Sequence, residues 1–278
     1  MLEIVKALLF GIVEGITEWL PISSTGHMII LDEFVRLNVR EEFWDLFLVV
    51  IQLGAILAVV ILYWNSIFPM NLTKKEEPFW KKDILVLWGK ILLACVPAAV
   101  IGLAFDDLLD KYLYNFPCVA LALIVFGILF IIVEKKKKGQ AAKINTIAEL
   151  DYKTVLLIGV FQLIAAIFPG TSRSGATIVG ALLLSVSRVV AAEFTFYLAI
   201  PVMCGASLLK LVKFMTMGLS FALGEVMILL VGCISAFVVS ILVIKLLMGY
   251  IKKHDFIPFG IYRIALGIVL LIYFGLNL

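Results

Sequence analysis

The chain has 278 residues, of which 63% are hydrophobic and 15% charged, with a net charge of +3. A mean hydropathy of +1.14 excludes an ordinary soluble domain and implies an all-α integral membrane protein of several spans. The small positive balance sits in short loops rather than on one face, which points to membrane orientation and against a nucleic-acid partner.

The opening MLEIVKALLF has the apolar look of a signal peptide. It carries Glu3, has little positive charge and runs into Glu14 and Glu18, so it is expected to be retained. The first apolar stretch, Leu2–Leu31, is interrupted by Pro21 and a Ser/Thr/Gly cluster. Full spans are predicted at about Asp45–Tyr63, Ile84–Phe105 and Phe116–Val133. A second interrupted stretch, Thr154–Val186, breaks at Pro169. Three further spans are predicted at about Phe194–Val212, Glu225–Met248 and Ile261–Leu278. Cys95, Cys118, Cys204 and Cys233 lie singly in or beside apolar runs, so they read as small packing residues rather than disulfide partners or metal ligands. His254 follows two lysines and reads as a loop-surface residue.

Loop charge sets the expected topology. Lys135–Lys138 and Lys143 place Glu134–Leu150 in the cytoplasm. Counting back puts the acidic Asp106–Asn115 outside and the lysine-bearing Trp64–Asp83 inside. Counting forward puts Gly249–Gly260, with Lys252 and Lys253, inside. This requires three spans per half, so each interrupted stretch is expected to enter and leave on one side as a re-entrant helical hairpin. Eight plain spans are the alternative. The two halves then have opposite topology, an inverted repeat with six spans and two hairpins. One membrane domain covers 1–278: repeat one about 1–133, a cytoplasmic linker about 134–150, and repeat two about 151–278.

The repeat is visible in the residues. GIVEGITEWLPISSTGH, Gly11 to His27, returns as GVFQLIAAIFPGTSRSG, Gly159 to Gly175. In that register Glu14 falls on Gln162, Pro21 on Pro169, Ser23 and Ser24 on Thr171 and Ser172, and Thr25 on Arg173. One half contributes acids and a histidine; the other contributes an arginine.

Glu14 and Glu18 lie one helical turn apart on one face. A carboxylate at the bilayer centre costs about 2.5–3.5 kcal/mol, so the pair needs a polar cavity, a cation or a basic partner. After each proline, Ser23, Ser24, Thr25 and Gly26, or Thr171, Ser172 and Ser174, supply hydroxyls and free backbone N–H groups that suit a phosphate. Arg173 adds a planar fork for phosphate oxygens, or a structural partner for Glu18. Ser24 is a candidate nucleophile with Glu18 or His27 as its base; His27 is also a candidate nucleophile or acid. Glu14 and Glu18 could hold a divalent cation, Mg2+ or Ca2+, against a diphosphate. No organic cofactor is expected.

EGITEWLPISSTGH together with PGTSRSG resembles the undecaprenyl-diphosphate phosphatases of the bacitracin-resistance type, bacterial inner-membrane enzymes that recycle the lipid carrier of cell-wall synthesis. The resemblance runs over nearly the whole chain, including FLVVIQLGAI and EFTFYLAIP. It implies Glu14 and Glu18 as the working acids, Ser24 and His27 as the catalytic serine and histidine, and Arg173 as the phosphate-binding arginine. It also implies a polyprenyl diphosphate substrate, six spans with two re-entrant hairpins, and a site open to the outer face. Surrounding membrane lipids are the other expected partners, and a homodimer is left open. A lipid-phosphate flippase is the competing class, because inverted repeats with broken helices are a transporter signature. The type 2 phosphatidic-acid phosphatases, which need a further histidine after their SR motif, are excluded because SGATIVGALLLSVSR offers none.

Overall fold

The computed structural model describes residues 1–71, 78–113 and 115–276. Lys74, Lys75 and the last two residues of the final predicted span lie outside them. The described elements are helices: α1 (Leu2–Thr17), α2 (Ser24–Phe34), α3 (Glu41–Leu62), α4 (Trp64–Ile67), α5 (Lys82–Leu113), α6 (Phe116–Lys137), α7 (Tyr152–Ile167), α8 (Arg173–Leu183), α9 (Arg188–Thr216), α10 (Leu223–Ile251) and α11 (Ile257–Leu276). Isolated bridges pair Met70 with Trp80 and Ile144 with Val186.

Six of these helices are long and apolar enough to cross a membrane, and one lies over each of the six predicted spans. The chain is a multi-pass membrane protein. The helices overrun the predicted ends, because polar residues at the headgroups need not leave the helix. The clearest difference is Asp106–Asn115, expected as a loop: α5 continues through it to Leu113. The break comes at Asn115, whose side chain accepts the Cys118 N–H at 3.0 Å, with Pro117 in the first turn of α6. Likewise α6 runs on to Lys137, with three lysines at its carbonyl end.

Both interrupted stretches are broken where expected, into α1 and α2 and into α7 and α8. Each pair is docked by close backbone approach. A Cβ on Gly11 would stand 2.3 Å from the Gly232 carbonyl of α10, and one on its repeat counterpart Gly159 would stand 2.4 Å from the Ala94 carbonyl of α5. α6 packs along α11, and α9 packs on α3, α5 and α8. The main core lies around α9, where Phe194, Phe196, Tyr197 and Leu198 are all buried.

Two ion pairs pin the ends of the bundle. Arg40, just before α3, bonds Glu225 at the start of α10 at 2.7 Å and lies over the Phe214 ring. Arg188, 148 residues later, pairs bidentately with the buried Glu134 of α6, whose Oε1 also accepts the Phe256 N–H at 3.0 Å. His254 is exposed and stacked on Tyr250.

Candidate active site

Glu18 caps the carbonyl end of α1, its N–H still bonded to the Glu14 carbonyl at 3.0 Å. Pro21 carries no N–H, so the chain turns and restarts at α2. The restart uses Ser23 in the left-handed region (φ 74°), its hydroxyl accepting the Gly26 N–H at 3.3 Å. The second break is built alike. Ser172 has φ 70°, and its hydroxyl accepts the Gly175 N–H at 3.1 Å before α8 begins. Such backbone costs about 1–3 kcal/mol per residue and persists only where the surroundings enforce it.

The capping geometry corrects the repeat register. Ser23 matches Ser172, not Thr171, and Arg173 matches Ser24, not Thr25. The cause is an additional residue between proline and cap in the second half, where Gly170 takes φ 89°. Ser24 and Arg173 are therefore each the first residue of a helix that begins at the cluster. Two positive helix ends meet there.

Glu18 is the centre of the cluster and only 6% exposed. Its Oε2 accepts the Ser24 hydroxyl at 2.7 Å, and its Oε1 accepts an N–H of Arg173 at 2.8 Å. Arg173 also donates to the Thr195 carbonyl of α9 at 3.0 Å, while its Nε has no protein partner. The Ser174 hydroxyl donates to the Glu18 carbonyl at 3.2 Å, which ties the two breaks together. Ser23 and Ser172 spend their hydroxyls on capping. Thr171 is fully buried, with its hydroxyl unpartnered. Thr25 and Gly26 form the first turn of α2.

Glu14 lies within electrostatic reach of Glu18 and Arg173; it is 1% exposed, and its Oε1 lacks a partner. Its counterpart Gln162 is equally buried, with both amide atoms unpartnered. Among the described residues no three Asp, Glu, His or Cys side chains form a metal cluster. Both Glu18 oxygens are engaged, and Glu14 Oε1 is a buried carboxylate oxygen without a protein partner. That fits a cation completed by substrate oxygens and water, not one caged by protein.

His27 spends both ring nitrogens on partners other than Glu18, Ser24 and Arg173. One ring nitrogen, Nδ1, lies 2.7 Å from the Ser23 carbonyl, so it carries the proton. Nε2 lies 2.7 Å from the Tyr262 hydroxyl, with the two rings stacked at 5.6 Å. The tautomer follows from the partners: a carbonyl only accepts, so Nε2 accepts from tyrosine.

Sequence reasoning passed over Arg263 of α11. It is fully buried and donates to the Pro21 carbonyl at 3.2 Å, Gly170 at 3.0 Å, Thr171 at 2.6 Å and Leu123 at 3.4 Å. One guanidinium thus gathers the freed carbonyls of both breaks and lies over the Phe126 ring at 5.9 Å. The available signal was an arginine inside an apolar span, which is costly unless it has a task. Trp19, buried in the first turn, packs edge-on against Phe196 at 5.3 Å and fixes that turn on α9.

This chain matches the family model described as bacitracin resistance protein BacA over residues 7–269. It is 60% identical to undecaprenyl-diphosphatase 1 of Clostridium acetobutylicum, over 98% of each chain. It is 58% identical to the undecaprenyl-diphosphatase of Desulfitobacterium hafniense, over 99% of this chain and 97% of that one. It is 56% identical to that of Enterococcus faecalis, over 98% and 97%. With both motifs folded into one cluster and the match spanning nearly all of the sequence, the chain belongs to the bacitracin resistance protein BacA family.

Proposed function

We propose that this protein is an undecaprenyl-diphosphatase, hydrolysing undecaprenyl diphosphate to the monophosphate and inorganic phosphate. Family membership and the relatives' activity support the reaction. The observation that carries the mechanism is the 2.7 Å bond from the Ser24 hydroxyl to Glu18. Ser24 Oγ attacks the terminal phosphorus, its proton passes to Glu18, and the bond from phosphorus to the bridging oxygen breaks. The leaving group is a phosphate monoester, stable as an anion, so it needs no strong acid. In a loose phosphoryl-transfer transition state the nucleophile's proton leaves late, so a carboxylate paired with arginine suffices as base. Water then attacks the phosphoserine. Glu18 returns its proton to Ser24 Oγ as the bond from phosphorus to Oγ breaks, and inorganic phosphate departs with the oxygen and both protons of the water.

Arg173 holds the phosphate oxygens, exchanging its empty-site bond to Glu18 for them, and the N-termini of α2 and α8 add N–H donors. Glu14 is the residue that would hold a divalent cation arriving with the diphosphate, where it would neutralise phosphate charge. His27, fixed as the Nδ1–H tautomer, is a positioning or proton-handling residue in this reading, while nucleophilic attack by His27 is the competing mechanism.

At 1.5 Å per residue, α1 is about 24 Å long and α2 about 16 Å, short of the roughly 30 Å hydrocarbon core. This supports reading α1–α2 and α7–α8 as re-entrant hairpins of an inverted repeat, in one membrane domain of the bacterial inner membrane. The family resemblance implies that the site opens to the outer face, and the loop charges, which put the first hairpin's entry on that side, agree with this reading.

The test is phosphate release from undecaprenyl diphosphate by purified protein, wild type beside Ser24→Ala, His27→Ala and Arg173→Ala. Loss of nearly all turnover in Ser24→Ala and Arg173→Ala is expected. Residual turnover in Ser24→Ala with none in His27→Ala would transfer the nucleophile's role to His27. A wild type that moves the lipid across liposomes without releasing phosphate would make it a flippase instead.

A further inference from the structure

A cavity of about 340 Å³ opens where α6, α8 and α10 end and α9 begins, far along α8 from Arg173. Its polar lining comes from Lys137, Arg188, Lys252, Gln140 and Ser185, with Glu134 as the one acid. Glu134 is consumed by its bidentate pair with Arg188 and by the Phe256 N–H. Lys137 has only a neutral partner, the Ser185 hydroxyl at 2.9 Å. Lys252 is exposed at the rim. Asp255 acts on Arg188 from outside the lining, while its carboxylate accepts the Ile257 N–H at 3.1 Å. The lining therefore carries three cations against one acid, with two lysines unneutralised.

The frame is built rather than loose. Ser185 takes φ 63°, and its carbonyl accepts the Lys143 N–H at 2.8 Å; the Ser187 N–H in turn donates to the Ile144 carbonyl at 2.8 Å. Leu182, Val189 and Ile251 supply an apolar wall. Spanning helices end here, so the cavity stands at headgroup depth, with cations above apolar surface.

We propose that this cavity binds the headgroup phosphate of an anionic phospholipid, held between Lys137 and Lys252, with the start of its acyl chains on the apolar wall. A free phosphate would use the lysines but not the wall. A bound headgroup braces the far end of α8, the helix that begins with Arg173. The proposal stands apart from the phosphatase reading and would survive its failure.

The experiment measures thermal stability and lipid retention of the purified full chain in neutral detergent, titrated with phosphatidylglycerol, phosphatidylcholine or inorganic phosphate. Phosphatidylglycerol is expected to stabilise the wild type more than phosphatidylcholine does. Lys137→Gln/Lys252→Gln should weaken this by roughly tenfold or more in lipid concentration, since each lysine near an anionic surface contributes about a fivefold effect. Lys136→Gln/Lys253→Gln, with the same charge loss outside the cavity lining, should respond as the wild type. An equal loss in both double variants would mean diffuse charge attraction and overturn the site. An equal shift from inorganic phosphate alone would overturn the lipid as occupant. A monodisperse elution profile and a wild-type melting temperature in lipid-free detergent report that each double variant is folded.

Discussion

Ser24 and Arg173 occupy the same place in their helices, each the first residue after a left-handed serine, and each holds one oxygen of Glu18. A repeated fold element thus delivers a hydroxyl from one side of a carboxylate and a guanidinium from the other. Glu18→Gln keeps the shape but loses both the base and the charge partner. It is expected to lower turnover by about 10²–10⁴-fold, and Arg173→Ala by about 10³-fold or more. Because all three groups act as a unit, the Glu18→Gln/Ser24→Ala double variant should be little worse than Ser24→Ala alone. Phosphate-release kinetics on the purified variants check this.

Arg263 should matter for stability as much as for the site. Each buried carbonyl left without its donor costs about 1–3 kcal/mol, and Arg263→Met orphans several at both breaks. Thermal unfolding in detergent should show a severe loss, with Arg263→Lys intermediate. A stable, active Arg263→Met protein would refute the clamp.

Tyr262→Phe removes the hydroxyl from His27 Nε2 while keeping the stacked ring. Loss of one such hydrogen bond is worth about 1 kcal/mol, so turnover should fall roughly fivefold. The pH–rate profile should also shift if His27 handles protons, since Nε2 is then released. An unchanged rate and profile would reduce the pair to packing.

Gly11→Ala should be strongly destabilising, because its Cβ would meet Ser235 Oγ at 1.9 Å and the Gly232 carbonyl at 2.3 Å. Overpacking costs of about 1–3 kcal/mol are expected. Adding Ser235→Ala relieves the hydroxyl but not the backbone, so it should rescue the melting temperature only in part.

Asp151 is exposed and caps the start of α7. The Thr154 hydroxyl, then the Thr154 amide at 2.7 Å, hold its carboxyl below the usual aspartate range. A carboxylate lowered on folding stabilises above its unfolded value, and the gain is lost as pH falls through the folded value. Asp151→Asn, which still caps, should therefore cost some melting temperature at neutral pH. That difference should close below about pH 4.

The sequence by itself determined the membrane class, the six long apolar helices, both breaks, and Glu18, Ser24 and Arg173 as candidates for one site. Apolar run length, proline without its N–H and intramembrane charge are local properties that residue types encode directly. The sequence register also aligned Gly11 with Gly159, and in the structure both allow close backbone approach of a neighbouring helix. Only the tertiary structure decided the rest. The one-residue slip that pairs Ser24 with Arg173 comes from backbone dihedrals at Gly170 and Ser172, which a simple register cannot carry. Arg263 lies 242 residues from the Pro21 carbonyl it binds, and carbonyls belong to every residue alike, so no side-chain pattern announces the bond. The turning of His27 toward Tyr262 depends likewise on how α11 packs beside α6, a long-range choice made by close backbone contact rather than by any motif.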